Sequence, residues 1–179
     1  VCKACRPREV EYHHVDFPIY KDAPVEAHFT PSYFESPVNN RKLQKWLQRE
    51  SVCQMDHQIE APDGIGKFNV PTLQFNLFYQ ILHLDKHLRY EGIGLRQIID
   101  YYYLLKKAHE EGIDTTEVIR LMKKFHVLKF TKAIMYILHN TLGLPKGYLL
   151  VTPDEKEGLF VLGEILRAGN FGKYDNRVR

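Results

Sequence analysis

The stretch from Phe68 to Gly112 constrains the fold most, because its apolar residues recur at helical spacing on both sides of a glycine pair. These residues are Leu77, Ile81, Leu84 and Leu88 before the pair, and Leu95, Ile98, Ile99, Tyr102 and Leu105 after it. Gly92 and Gly94 supply the backbone freedom that commonly ends one helix and starts another. The pattern predicts two helices joined by a tight elbow, each with one buried face.

Two short alternating segments near the start of the chain predict strands. They are residues 8–20 and residues 25–29, and a turn over residues 21–24 allows them to pair antiparallel. A two-stranded hairpin alone is marginally stable in water. We therefore expect this hairpin to belong to an incomplete sheet, or to form a homodimer by pairing its exposed edges.

Helical periodicity dominates the remainder. We expect Asn40 to cap a short helix through Glu50, residues 51–70 to form a long loop, and Asp114 to cap a further helix. Residues 127–142 predict another helix. Thr152 and Pro153 open the last one. Its expected buried stripe is Leu159, Leu162, Ile165 and Leu166, and its expected end is Gly169.

Together these elements predict an α+β protein, in which a short antiparallel strand hairpin is followed by a mainly helical bundle of about six helices. We expect a domain boundary near residue 35, with the hairpin in residues 1–35 and the helical domain in residues 36–179.

Composition excludes several classes of protein. The 179 residues provide for one well-buried domain, or for a main domain with a small appendage. No run of eighteen apolar residues could span a membrane. A net charge of +3, with acids and bases interspersed, gives no argument for nucleic acid. The cysteines, Cys2, Cys5 and Cys53, lack a second pair at zinc-finger spacing and are typical of reduced cytoplasmic thiols. Because the chain begins at Val1, we expect it to be a piece of a longer protein.

His83 and His87 stand four residues apart, so both imidazoles project from one helix face and could share a metal. A zinc protease needs a glutamate directly after the first histidine, and Leu84 occupies that position. The alternative is that one or both histidines hydrogen-bond to carboxylates or to the backbone.

The elbow is basic. Arg96 follows the two glycines near the amino end of a helix, where unpaired N–H groups favour an anion, and Lys86 and Arg89 precede it. A phosphate is one interpretation, and a salt bridge from Arg96 to Asp100 is the other.

Glu26 is the acidic residue of interest in the predicted strand VEAHF, where it faces either solvent or a site. The chain contains no Asp-x-Asp pair, no phosphate-binding glycine loop and no nucleophile elbow.

Four segments carry a resemblance to a known family. VEAHF, FNVPTLQFNLFYQILHLDKHL, EGIGLRQIIDYYYLL and EILRAGNFGKYDNR occur in an order and spacing that resemble the C-terminal two thirds of the bacterial uncharacterised nucleotidyltransferase family. This family is a branch of the polymerase-beta-like nucleotidyltransferases. The resemblance extends from about Glu11 to Arg177.

The resemblance implies an enzyme that moves a nucleoside monophosphate from a nucleoside triphosphate to an acceptor, with three acids holding two Mg²⁺ ions. Glu26 matches the third acid and His28 lies beside it, while Lys86, His87 and Arg96 are expected to line the triphosphate or acceptor side. The family's Asp-x-Asp pair is absent from these residues. We therefore expect the C-terminal portion of a nucleotidyltransferase, inactive by itself; the alternative is a noncatalytic binding module that keeps the helical fold.

Overall fold

The computed structural model describes residues 14–20 and 23–168, and for most of the first two strands it describes the backbone. Cys2, Cys5, residues 8–13 of the first predicted strand, Lys21 and Asp22 of the predicted turn, and the predicted helix end at Gly169 lie outside the described residues.

Four strands and six α-helices occur within the described ranges, which confirms the predicted α+β class. In chain order they are β1 (His14–Tyr20), β2 (Ala23–His28), α1 (Pro37–Asp56), β3 (Gln58–Glu60), β4 (Lys67–Asn69), α2 (Leu73–Tyr90), α3 (Leu95–Glu110), α4 (Thr116–Lys124), α5 (Leu128–Tyr136) and α6 (Glu155–Ala168). A π-helical turn, Ile137–Thr141, continues α5. No helix in these ranges has the length and apolar character needed to cross a membrane.

The chain divides into two compact units, Val1–Arg49 and Glu50–Arg179, so the boundary falls inside α1. In the first unit β1 pairs antiparallel with β2, as the alternation predicts. Helix α1 begins earlier than expected, at Pro37, because proline is preset for the first helical position. Its apolar residues Leu43, Trp46 and Leu47, which recur at helical spacing, are all buried.

The core of the second unit is built on α2 and α3. The predicted face of α2 is buried, with Leu77 and Ile81 fully enclosed, and Phe78 on the neighbouring face packs against the ring of Phe125 at 5.5 Å. From α3 the fully buried Tyr101 donates a hydrogen bond from its hydroxyl to the carbonyl of Leu77, 2.8 Å away. Burial raises the pKa of this phenol well above its usual value, so it remains a neutral donor.

The expectation of a structureless loop over residues 51–70 is wrong. Helix α1 continues to Asp56, and β3 and β4 then form a second antiparallel hairpin in which Ile59 lies opposite Phe68 and Glu60 lies opposite Lys67. Each strand has three residues, too few to show alternation in the sequence.

The predicted buried stripe of the last helix is only partly correct. Ile165 is buried, but Leu159 and Leu166 are exposed. The buried side of α6 instead runs through Gly158 and Val161. The reason is steric: a Cβ built on Gly158 would lie 2.3 Å from the ring of Tyr136, so this glycine allows α6 to approach α5 closely along that side.

Candidate functional site

The β1–β2 hairpin places four polar residues at matched positions. Asp16 is the register partner of Glu26, and His14 is the register partner of His28. Residues two apart on a strand share a face, and so do residues directly opposite each other on paired strands. One face of this hairpin therefore carries two acidic residues and two histidines.

The hairpin is irregular beyond this group. Its register shifts between Phe17 and Tyr20, around Pro18, which has no N–H to donate to a strand ladder. The regular part of the pairing is thus the part that aligns Asp16 with Glu26. His28, at the end of β2, is exposed.

Sequence reasoning identified Glu26 and His28 and missed Asp16 as a candidate. The signal was present, because alternation already placed His14 and Asp16 on one side of the first strand. Counting outward from the predicted turn over residues 21–24 pairs Ile19 with Glu26, whereas the observed register, which shifts between Phe17 and Tyr20, pairs Asp16 with Glu26.

In the second unit, aromatic and imidazole rings follow one another along α2 at every fourth residue. Ring centroids are 5.6 Å apart between Phe75 and Tyr79, 5.9 Å between Tyr79 and His83, and 4.1 Å between His83 and His87. This column lies outside the buried face of the helix. Burial raises the pKa of Tyr79, which keeps its phenol neutral.

The column ends in an acid–histidine pair. Nδ1 of His87 lies 2.7 Å from Oε2 of Glu91, one helical turn further on. The hydrogen-bonded interpretation is therefore confirmed for His87. Among the described side chains, no group of three or more His, Cys, Asp or Glu residues is arranged to hold a metal ion.

Arg89, which precedes the elbow, forms a salt bridge with Asp85. Its Nε and Nη2 donate to the two carboxylate oxygens of Asp85 at 3.0 and 2.9 Å. Asp85 is largely buried, and its hydrogen bond raises the pKa of Arg89 further. This fork leaves Arg89 poorly placed to bind an external phosphate.

The backbone N–H of Gly94, at the elbow, already has a hydrogen-bond partner within the protein. Gly92 has a φ of 82°, as predicted for a glycine that ends a helix, and Gly94 donates its N–H to Oε1 of Gln97 at 2.6 Å. An anion at the start of α3 would compete with this side chain. Arg96 is exposed beside it, and the ion pairs of the described residues do not include one between Arg96 and Asp100.

The predicted site residues thus belong to two groups. Glu26 and His28 lie on β2 in the first unit, whereas Lys86 and His87 on α2 and Arg96 on α3 lie in the second. Lys86 is half-buried, in contrast to Arg96.

A family model described as Uncharacterised nucleotidyltransferase matches residues 4–143, which include the β1–β2 hairpin, α2 and α3. The chain therefore belongs to this family, as the sequence resemblance predicts. Comparison with curated proteins and with solved structures gave no match.

Proposed function

We propose that this chain contributes Glu26 as a metal-binding carboxylate to a nucleotidyltransferase that moves a nucleoside monophosphate from a nucleoside triphosphate to an acceptor. The observation that carries the proposal is the register of the first hairpin, in which Glu26 lies opposite Asp16. Membership of the family, over a span that includes both residues, supports it.

The physical argument rests on charge. Like charges placed directly opposite each other destabilise an antiparallel pair by about 0.2–1 kcal/mol, and a bound cation reverses the sign of that interaction. Mg²⁺ prefers carboxylate oxygens, so the acidic pair fits this ion. His14 and His28 flank the pair on the same face, but imidazole nitrogen is a poor ligand for Mg²⁺. We therefore assign the metal contact to Glu26, assisted by Asp16.

The positive residues of the second unit complete the proposal. When bound, Mg²⁺ would neutralise charge on the triphosphate and orient it. Lys86 offers a point charge and Arg96 a planar fork, and both are suited to phosphate oxygens. His87, whose Nδ1 is held by Glu91, presents a ring of fixed orientation. We propose that these three residues line the triphosphate or acceptor side.

Turnover needs more carboxylates than these. The 179 residues contain no Asp-x-Asp pair, and two ions about 3.5–4 Å apart need several bridging oxygens. We therefore expect this chain by itself to bind Mg²⁺ and nucleotide weakly, without transferring the nucleotide.

A second candidate function is a noncatalytic binding module that keeps the helical fold, and the missing Asp-x-Asp pair favours it. The two candidates differ in their dependence on metal. A transferase-derived site binds nucleotide more tightly with Mg²⁺ than with EDTA, whereas a module without a metal site binds its partner equally in both.

Isothermal titration calorimetry with Mg²⁺ and ATP tests the proposal. Glu26→Gln removes the proposed ligand, and we expect Mg²⁺-dependent binding to weaken on the order of tenfold, as for loss of one charged interaction. The matched control is Glu60→Gln, which changes a glutamate of the other hairpin, where Lys67 lies opposite. Binding that is equal in all three proteins would contradict the metal role of Glu26.

A further inference from the structure

Helix α1 presents a row of positive side chains to solvent. Four exposed residues of the first unit fall within about 100° of one another around the helix axis. We call them the basic stripe of α1: Arg41, Lys42, Lys45 and Arg49. The side chains that anchor the helix, Leu43, Trp46 and Leu47, are buried on another side of it. The stripe is therefore held on a fixed helix and faces away from the core.

The charges of the stripe are not neutralised within the part of the chain that the structure describes. The ion pairs and hydrogen bonds found there engage none of the four side chains. On other helices cations have a carboxylate one turn away, as Lys106 has in Glu110 and Arg120 has in Glu117. Helix α1 offers no such neighbour, because residues 37–49 include no Asp or Glu.

The spacing of the stripe makes its charges repel one another. Arg41, Lys45 and Arg49 follow at four-residue steps, and like charges at this spacing destabilise a helix. Glu50, the first acid of α1, does not relieve this repulsion at Arg41, because a separation of nine residues places it on the opposite side of the helix. A bound polyanion would remove the repulsion, so the stripe is complementary in charge to such a ligand.

The dimensions of the stripe suit the phosphate backbone of a nucleic-acid duplex. The stripe extends about 12 Å along the helix axis. Duplex DNA carries one phosphate for about every 1.7 Å of its axis, so a row of this length meets several phosphates at once. Lys and Arg side chains donate hydrogen bonds and accept none, which suits phosphate oxygens better than the 2′-hydroxyls by which duplex RNA is recognised.

Two other polyanions fit the stripe less well. A protein that holds a single strand uses aromatic side chains on which unpaired bases stack. Trp46 is the one aromatic residue of α1, and it is buried. A helix that binds an anionic membrane inserts its apolar face into the lipid. In α1 the apolar side chains Leu43 and Leu47 are already buried in the protein.

We propose that the basic stripe of α1 binds the phosphate backbone of duplex DNA without reading its sequence. Backbone contacts position a protein on DNA and carry no sequence information directly. The net charge of +3 gives no argument for nucleic acid by itself, whereas four unpaired cations in one row do. We expect a dissociation constant of about 10⁻⁴–10⁻⁶ M at physiological salt. This inference goes beyond the nucleotidyltransferase proposal and does not depend on the metal role of Glu26.

Fluorescence anisotropy with a labelled, mixed-sequence DNA duplex of about 20 base pairs tests the proposal. Four phosphate contacts give a slope of about −3.6 for the logarithm of the binding constant against the logarithm of salt concentration. Binding should therefore weaken about fiftyfold between roughly 50 and 150 mM salt. Lys45→Gln should make the slope shallower by about 0.9, and Lys42→Gln should do the same.

The matched control is Lys106→Gln, which removes an exposed lysine that lies 3.8 Å from Glu110 on α3. Its slope should equal that of the wild type. Replacing all four stripe residues by glutamine should abolish measurable binding. A wild type that does not bind the duplex at about 100 µM protein and about 50 mM salt, or slopes that are equal in the wild type and both single stripe variants, would overturn the proposal.

Thermal melting followed by circular dichroism separates loss of binding from loss of fold. Lys45→Gln removes like-charge repulsion at an exposed position, so it should melt no lower than the wild type. Three further probes test the choice of ligand: a single DNA strand and an RNA duplex of the same length, and vesicles that contain phosphatidylserine. The DNA duplex should bind most tightly. Tighter binding to any of the other three would contradict the assignment.

Discussion

The two strand hairpins of this molecule differ in the kinds of residue that lie opposite each other across their strands. In β3–β4 an apolar residue faces an apolar residue, Ile59 against Phe68, and Glu60 faces Lys67. Both pairs are of the kind that stabilises an antiparallel ladder. In β1–β2 an acid faces an acid and a histidine faces a histidine.

This difference indicates which hairpin has cross-strand pairs that are favourable without a bound ligand. The cross-strand pairs of β3–β4 are favourable without a ligand. Two acids at register-partner positions, as Asp16 and Glu26 are in β1–β2, are unfavourable neighbours when both carry a charge. The register of the first hairpin therefore fits the metal site that we propose, whereas the cross-strand pairs of the second hairpin need no ligand.

The largest expected loss of stability is in the core of the second unit, and the loss in the β3–β4 hairpin is compared with it. Phe78→Ala removes a fully buried ring that packs against Phe125, and we expect the free energy of unfolding to fall by about 3–5 kcal/mol. Ile59→Ala, at a hairpin residue that is 42% exposed, should cost less than about 1 kcal/mol. Urea denaturation measures both. Comparable losses would mean that β3–β4 carries part of the core.

A smaller loss is expected from the buried hydrogen bond between α3 and α2. Tyr101→Phe leaves the carbonyl of Leu77 without the donor that it has at 2.8 Å, which should cost about 1–3 kcal/mol. A thermal shift no larger than that of the surface variant Tyr103→Phe would contradict this.

The same residue gives a dependence on pH. Burial raises the pKa of Tyr101 in the folded state, so above about pH 10 the unfolded chain loses this proton while the folded chain keeps it. Stability should therefore fall as pH rises past that value. The decline should be shallower in Tyr101→Phe. Parallel unfolding curves for the two proteins between pH 9 and 11 would exclude the effect.

The smallest effects test the two hairpins directly. Lys67→Glu gives β3–β4 an acid opposite an acid, and should weaken it by about 0.2–1 kcal/mol. Asp16→Asn removes such a pair from β1–β2, and should strengthen that hairpin by a similar amount in EDTA. Amide hydrogen exchange at Ile59 and at Ala27 reports the two changes. A change in amide exchange rate of the opposite sign at either residue would contradict the comparison of the two hairpins.

Long periodic segments could be predicted from the sequence. The face of α2 with Leu77, Ile81 and Leu84 is buried as expected, and Asp114 accepts the N–H of Thr116 at 2.9 Å, near the start of α4. These features depend on local spacing and capping, which the sequence displays directly.

Features that depend on contacts between elements could not be predicted in the same way. The β3–β4 hairpin has three-residue strands, and its pairing of Ile59 with Phe68 is visible only in three dimensions. The orientation of α6 follows from the close contact of Gly158 with Tyr136 on another helix. In the candidate site, Glu26 was identified from its strand, whereas Asp16 required the register.

The most direct measurement of the central claim is paramagnetic broadening of backbone amide signals by Mn²⁺, a substitute for Mg²⁺ with the same preference for oxygen ligands. We predict that substoichiometric Mn²⁺ broadens the amide signals of Val15 and Ala27, which neighbour the acidic pair. Glu26→Gln should restore both signals, whereas Glu60→Gln should leave them broadened. Broadening of Val15 and Ala27 that survives Glu26→Gln unchanged would contradict the metal role of Glu26.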